Sequence, residues 1–197
     1  MQHPYLFIAS KIILFISLSL IPSSNSEWIK YSIKSNNAGI DRAFTKAFEV
    51  FSEDNPDCDI NYLEKLSIYL QINEGLDYKL YFIDLKSKDH IVHEYLINSP
   101  PIRNAKKELM FNYEENFDKA VNGTLARNDA RFTIINDLLD KESTESGTRE
   151  ILKIEPIDAV FNYYFIVTYR VENKEHVRIV GQDKEKNEYE LFGEFVN

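Results

Sequence analysis

Apolar residues near the start of the chain recur at helical spacing. Ile40, Ala43, Phe44, Ala47, Phe48 and Phe51 fall at i, i+3, i+4, i+7, i+8 and i+11, which puts them on one stripe of an amphipathic helix. Asn36 or Asn37 is placed to cap its start, Asp41 suits the positive end of the helix dipole, and Glu53-Asp54-Asn55-Pro56 ends it. The period then drops to that of a strand. Leu66, Ile68, Leu70 and Ile72 alternate with Ser67, Tyr69 and Gln71, and Leu76, Tyr78, Leu80 and Phe82 alternate with Asp77, Lys79 and Tyr81. Two such runs joined by the short Gly-containing stretch Gln71-Ile72-Asn73-Glu74-Gly75 predict an antiparallel hairpin. Lys86 to Asp89 forms the next turn, Ile91 to Ile97 a third strand, and Asn98-Ser99-Pro100-Pro101 breaks it. Leu109, Met110, Phe111 and Tyr113 mark a fourth.

The second half follows the same order. Leu125, Phe132, Ile135 and Leu139 give a weaker helical stripe over about 127 to 140, and Lys141 to Gly147 is a polar turn. Leu152 and Ile154 open a strand, and Phe161, Tyr163, Phe165, Val167, Tyr169 and Val171 then alternate with their neighbours. Val177 to Val180 forms another strand, and Tyr189, Leu191 and Phe195 mark the last. Matching Tyr78-x-Leu80-x-Phe82 to Tyr163-x-Phe165-x-Val167 gives an offset of 85 residues, the spacing expected of a tandem duplication. The expected class is therefore α+β, with a helix and an antiparallel sheet in each of two domains joined near Asn116 to Thr124. A sheet with one face of Leu, Ile and Phe needs a helix to cover it.

Composition narrows the function. The chain has 197 residues and a formal net charge of -9, with 44% hydrophobic residues. That is a globular balance whose scattered Lys and Arg do not suit the counterion exchange of a nucleic-acid binder. The first 26 residues carry Lys11, an apolar run from Ile12 to Ile21, and the small residues Ser24 and Ser26. This is a signal-peptide layout, with an apolar run shorter than the roughly 20 residues a bilayer needs. The expectation is a secreted protein with no membrane attachment after cleavage, and Asn122 in Asn122-Gly123-Thr124 as its glycosylation acceptor. Cys58 is the sole cysteine, so no intrachain disulfide forms and packing must carry stability.

At this point the first half resembles the cystatin family. The helix, the long strand, Gln71-Ile72-Asn73-Glu74-Gly75 in place of the family's QxVxG, and the following Tyr78-Lys79-Leu80-Tyr81-Phe82 carry the resemblance, over about residues 30 to 116. Residues 118 to 197 look like a degenerate second copy, with Asp158 to Asn162 where the motif would stand. The resemblance implies an antiparallel sheet wrapped round one helix and, after the signal peptide expected over 1–26, cystatin-like domains over 27–116 and 117–197. It also implies reversible, non-covalent inhibition of papain-like cysteine proteases, without enzymatic activity or cofactor. Gln71, Ile72, Asn73, Glu74 and Gly75 would enter the protease cleft, helped by Pro100, Pro101 and Ile102 from the second hairpin. The sequence departs from the family at Asn73, which replaces Val, at Glu74, which adds a charge, and at Pro100-Pro101-Ile102, which lacks tryptophan. The paired cysteines of secreted cystatins are missing too. These departures favour the alternative, a non-inhibitory binding protein on the same tandem scaffold.

Other chemistry finds little footing. His90 and His93 would point to opposite sides of a strand and could not clamp one metal ion. Asp57 and Asp59 flank Cys58 and would raise its thiol pKa, which argues against a nucleophile. Asn55 lies in the region where some cystatins inhibit legumain, though a polar turn explains it as well. No phosphate loop, zinc signature or nucleophile elbow occurs.

Overall fold

A computed structural model describes residues 27–34, 37–72, 75–99, 112–142 and 148–196. The short strand β1 (Ile29–Tyr31) precedes helix α1 (Ala38–Asp54), a 3-10 turn at Ile60–Tyr62, and strands β2 (Leu63–Ile72), β3 (Leu76–Asp84), β4 (Val92–Ser99) and β5 (Asn112–Lys119). Helix α2 (Ala130–Glu142) and strands β6 (Arg149–Asp158), β7 (Asn162–Val171), β8 (Lys174–Asp183) and β9 (Tyr189–Val196) follow. The strands form two antiparallel meanders, in the orders β1-β2-β3-β4-β5 and β6-β7-β8-β9. The class is α+β, as expected.

Local chemistry explains the element ends. Asn37 caps α1: its Oδ1 accepts from the N–H of Gly39 at 2.9 Å and of Ile40 at 3.4 Å, which satisfies two of the donors a helix start leaves free. At the other end the Asn55 side-chain amide donates to the Phe51 carbonyl at 2.9 Å, so Asn55 acts as a helix terminator. Helix α2 starts at Ala130, later than the stripe suggested, because Asp129 captures the N–H and guanidinium of Arg131. Those bonds hold the Asp129 carboxyl down at about 2.

Three cores stack the molecule into four layers, helix on sheet on sheet on helix. Ile40, Ala43, Phe44, Ala47 and Phe51 of α1 pack on Ile68, Leu70, Leu80, Phe82 and Tyr95 of the first sheet. Ile135 and Leu139 of α2 pack on Ile154, Phe165, Val167 and Val180 of the second. The middle core lies between the sheets and joins Leu66, Tyr69, Tyr81, Ile83 and Val92 to Ile157, Tyr164, Ile166, Ile179 and Phe192. Each large apolar side chain buried there contributes about 1.5 to 3 kcal/mol, so the two halves support one another.

Leu66 departs from the expected alternation. The pairing of β2 with β3 slips between Lys65 and Ser67, and this bulge turns Leu66 away from Ile68 and Leu70 into the middle core. The last strand of the first sheet spans Asn112–Lys119, past the expected boundary at 116, while Leu109, Met110 and Phe111 lie outside the described residues. The connection that follows runs along the outer edge of β6: the Asn122 N–H donates to the Pro156 carbonyl at 2.8 Å and the Leu125 N–H to the Ile154 carbonyl at 2.7 Å. It thereby covers part of an edge that would otherwise offer unpaired backbone groups.

Candidate functional site

The register of the first sheet brings three chain segments to one end. Leu76 pairs with both Ile72 and Ser99, and Ile29 pairs with Leu70. Residues 27–28, the turn after Ile72 and the end of β4 therefore meet at the same edge of the molecule. Asn98 is tied across to the neighbouring hairpin, its side-chain amide donating to the Asp77 carboxylate at 2.6 Å. Gln71 and Gly75 are half-buried there, and Ile72 is 67% exposed, the most exposed large apolar side chain among the described residues. Asn73, Glu74, Pro100, Pro101 and Ile102 lie outside the described residues, directly following the ends of β2 and β4.

Trp28 also lies at this end, and no periodic pattern had singled it out. Its ring sits 6.5 Å from that of Phe161, with the Lys79 ammonium 4.9 Å from its centroid. Phe161 in turn stacks on Tyr69 at 4.2 Å between centroids. The β6–β7 turn of the second half thus packs beside the free end of the first sheet, leaving Val160 53% exposed.

Asn162, expected where the second copy's motif would stand, has a structural role. It is buried, and its amide donates to the Tyr69 hydroxyl at 2.7 Å, the Tyr164 hydroxyl at 3.1 Å and Ser67 Oγ at 3.3 Å. Ser67 and Tyr164 share a further hydrogen bond of 2.5 Å. These bonds satisfy polar groups inside the middle core, where an unpaired one would be costly. Burial pushes the Tyr69 and Tyr164 hydroxyls far above the ordinary tyrosine range, so the network stays neutral.

The remaining candidates are accounted for locally. The Cys58 thiol is pushed up to about 11, first by burial, then by Asp84, with Asp59 a smaller influence; Asp84 takes the place expected of Asp57. A thiol so raised is a poor nucleophile at neutral pH. His90 pairs with Glu155 of the second half at 3.3 Å and His93 with Asp118 at 2.7 Å. Among the described residues no group of His, Cys, Asp and Glu is arranged to hold a metal ion, and no helix is long and apolar enough to cross a membrane. Asn122 is exposed in the connection beside β6. No protein-family model and no curated protein matches the chain.

Proposed function

We propose that the chain is a secreted, cystatin-like inhibitor of papain-like cysteine proteases, built from two tandem copies of one helix-and-sheet unit. It acts by inserting the edge at Gln71 to Gly75 into the protease cleft, with Pro100 to Ile102 and the N-terminal segment on either side. The observation that carries this reading is the convergence of the β2–β3 turn, the end of β4 and the residues before β1 on one end of a rigid sheet. A narrow cleft is best filled by backbone at a hairpin tip, and a sheet that has already lost its conformational freedom loses little more on binding. Glycine at position 75 suits a close approach of that backbone. The exposed Ile72 adds an apolar contact.

Duplication draws support from matching irregularities. In each half the first strand after the helix is ten residues long, and each of these slips register at the same depth, between Lys65 and Ser67 in β2 and between Ile151 and Lys153 in β6. Aligning the bulged residues Leu66 and Leu152 sets an offset of 86 residues on this strand, close to the 85 read from the aromatic strands.

Titration of active papain with the purified protein tests the reading. Reversible inhibition that Gly75→Arg weakens by about a hundredfold, with circular dichroism unchanged, is the expected outcome. Absence of inhibition at micromolar protein would sink it. It would leave the second reading, a binding protein on the same scaffold, which Asn73, Glu74 and the use of Asn162 for packing favour.

A further inference from the structure

Strand β1 has little of its own to hold it in place. It is three residues long, all three are exposed, and it pairs on one side only, with β2. A short, exposed edge strand ordinarily frays. Here its contacts reach the second half of the chain. The Trp28 ring lies against Phe161, the Lys30 ammonium is 3.2 Å from the Asp183 carboxylate, and Ile33 packs on both the α1 core and the middle core. Asp183 is itself anchored, since its carboxylate accepts from the backbone N–H of Glu185 and Lys186 at 3.0 and 3.1 Å. Lys34 meets Glu190 at 3.3 Å, but both side chains are exposed and this pair adds little.

We infer that the second half serves as a brace, with Phe161 and Asp183 as positioning residues that fix Trp28 to Tyr31 in line with the Gln71–Gly75 turn. In this reading the second half does not inhibit by itself; it completes the edge of the first. The gain is preorganisation: a segment already ordered in the free protein loses less freedom when a partner closes on it. Its functional half rests on the inhibitory reading proposed above, whereas the brace itself can be tested without any protease.

Trp28 is the sole tryptophan, so its fluorescence reports the brace directly. Lys30→Met keeps the aliphatic stem and removes the charge, Trp28→Ala removes the ring, and Trp28→Phe keeps an aromatic contact. Phe161→Leu opens the other side while retaining an apolar residue in the middle core. Hydrogen exchange at residues 28–31 is expected to quicken by about tenfold in Trp28→Ala and in Lys30→Met, with amides of β3 and β7 still protected and Trp28→Phe close to wild type. Phe161→Leu should shift Trp28 emission to the red. Papain association should slow by about threefold to tenfold in the variants whose β1 is loosened, Trp28→Phe again restoring it. Unchanged exchange at 28–31 in both β1 variants would overturn the brace, whatever the protease assay gives. Quickened exchange with papain association unchanged, while Gly75→Arg still weakens inhibition, would overturn its functional half. Loss of all inhibition in the wild type would instead count against the inhibitory reading.

Discussion

Each half carries a helix followed by four antiparallel strands, with β1 added at the edge of the first sheet, and the corresponding ends of the two sheets differ. In the first, β2 ends on Ile72, which is 67% exposed. In the second, the corresponding end is largely packed: Ala159 is buried, Phe161 stacks on Tyr69, and Asn162 at the start of β7 is buried in a polar network, which leaves only Val160 of the connection exposed. The helices differ in parallel. Helix α1 buries Ile40, Ala43, Phe44, Ala47 and Phe51, whereas α2 buries only Ile135 and Leu139. The first half thus ends on an exposed Ile72, whereas the corresponding end of the second half is packed against the first sheet.

The sharpest way to break this comparison is to cut the network that consumes the second edge. Tyr164→Ala removes a fully buried ring and leaves Ser67 and Asn162 short of a partner, and is expected to cost about 3 to 5 kcal/mol. Tyr164→Phe keeps the ring and should cost only about 1 to 2 kcal/mol. Urea unfolding followed by Trp28 emission and by far-ultraviolet circular dichroism gives both values. The two probes should report one coincident transition in the wild type, because the middle core links the sheets; two separate transitions would show that the halves fold independently.

A smaller effect on stability and a larger contrast in binding come from the turns themselves. Gly75→Arg and Val160→Arg each place a long charged side chain at the turn of the first hairpin of one sheet. Val160 is exposed and Gly75 half-buried, so Val160→Arg should leave the melting temperature within a few degrees of wild type and Gly75→Arg should lower it somewhat more. Only Gly75→Arg is expected to weaken papain inhibition by about a hundredfold, with Val160→Arg within about fivefold of wild type. Equal losses would place both turns in the contact and remove the asymmetry.

Most of the layered fold was legible because the patterns are strong. The α1 stripe from Ile40 to Phe51 admits one period, and the alternation marked the helix-facing residues of β3 and, from Tyr163 to Val171, of β7, whereas Phe161, expected on the same face, precedes β7 and packs in the middle core. The bulge at Leu66 was not legible, since an apolar residue at a bulge continues the alternation in the sequence while turning to the other face in the fold. Tyr69, Tyr81 and Tyr164 were ambiguous for a different reason: a tyrosine suits a solvated face and a buried one equally, and what decides is whether a second sheet covers it. At the candidate site, hairpin geometry placed Gln71, Ile72 and Gly75 at a sheet end. Trp28 escaped, because one aromatic residue ahead of a three-residue strand sets up no period. Its partner Phe161, and the Asp183 that pairs with Lys30, lie more than a hundred residues away in sequence, and nothing local points to them.

The smallest expected effect concerns the charge pair between the halves. Burial alone would raise the Asp183 carboxyl, but the N–H of Lys186, the Lys30 ammonium and the N–H of Glu185 outweigh it and hold the group below its ordinary value. The stability this gives is therefore fully present above the unfolded value of about 3.9 and is lost as pH falls through the lower folded value. Glu194 shares the direction: burial is outweighed by Tyr169, His176 and Arg178. These partners all lie within the second half, so Glu194 serves as an internal control. Lys30→Met should flatten the acid dependence of Trp28 emission by well under about 1 kcal/mol, because the backbone donors to Asp183 remain, and should leave the acid transition followed by circular dichroism almost unmoved. A shift of the whole acid transition in Lys30→Met would mean that this pair holds the two sheets together, and that the brace acts on the molecule at large and not on β1 alone.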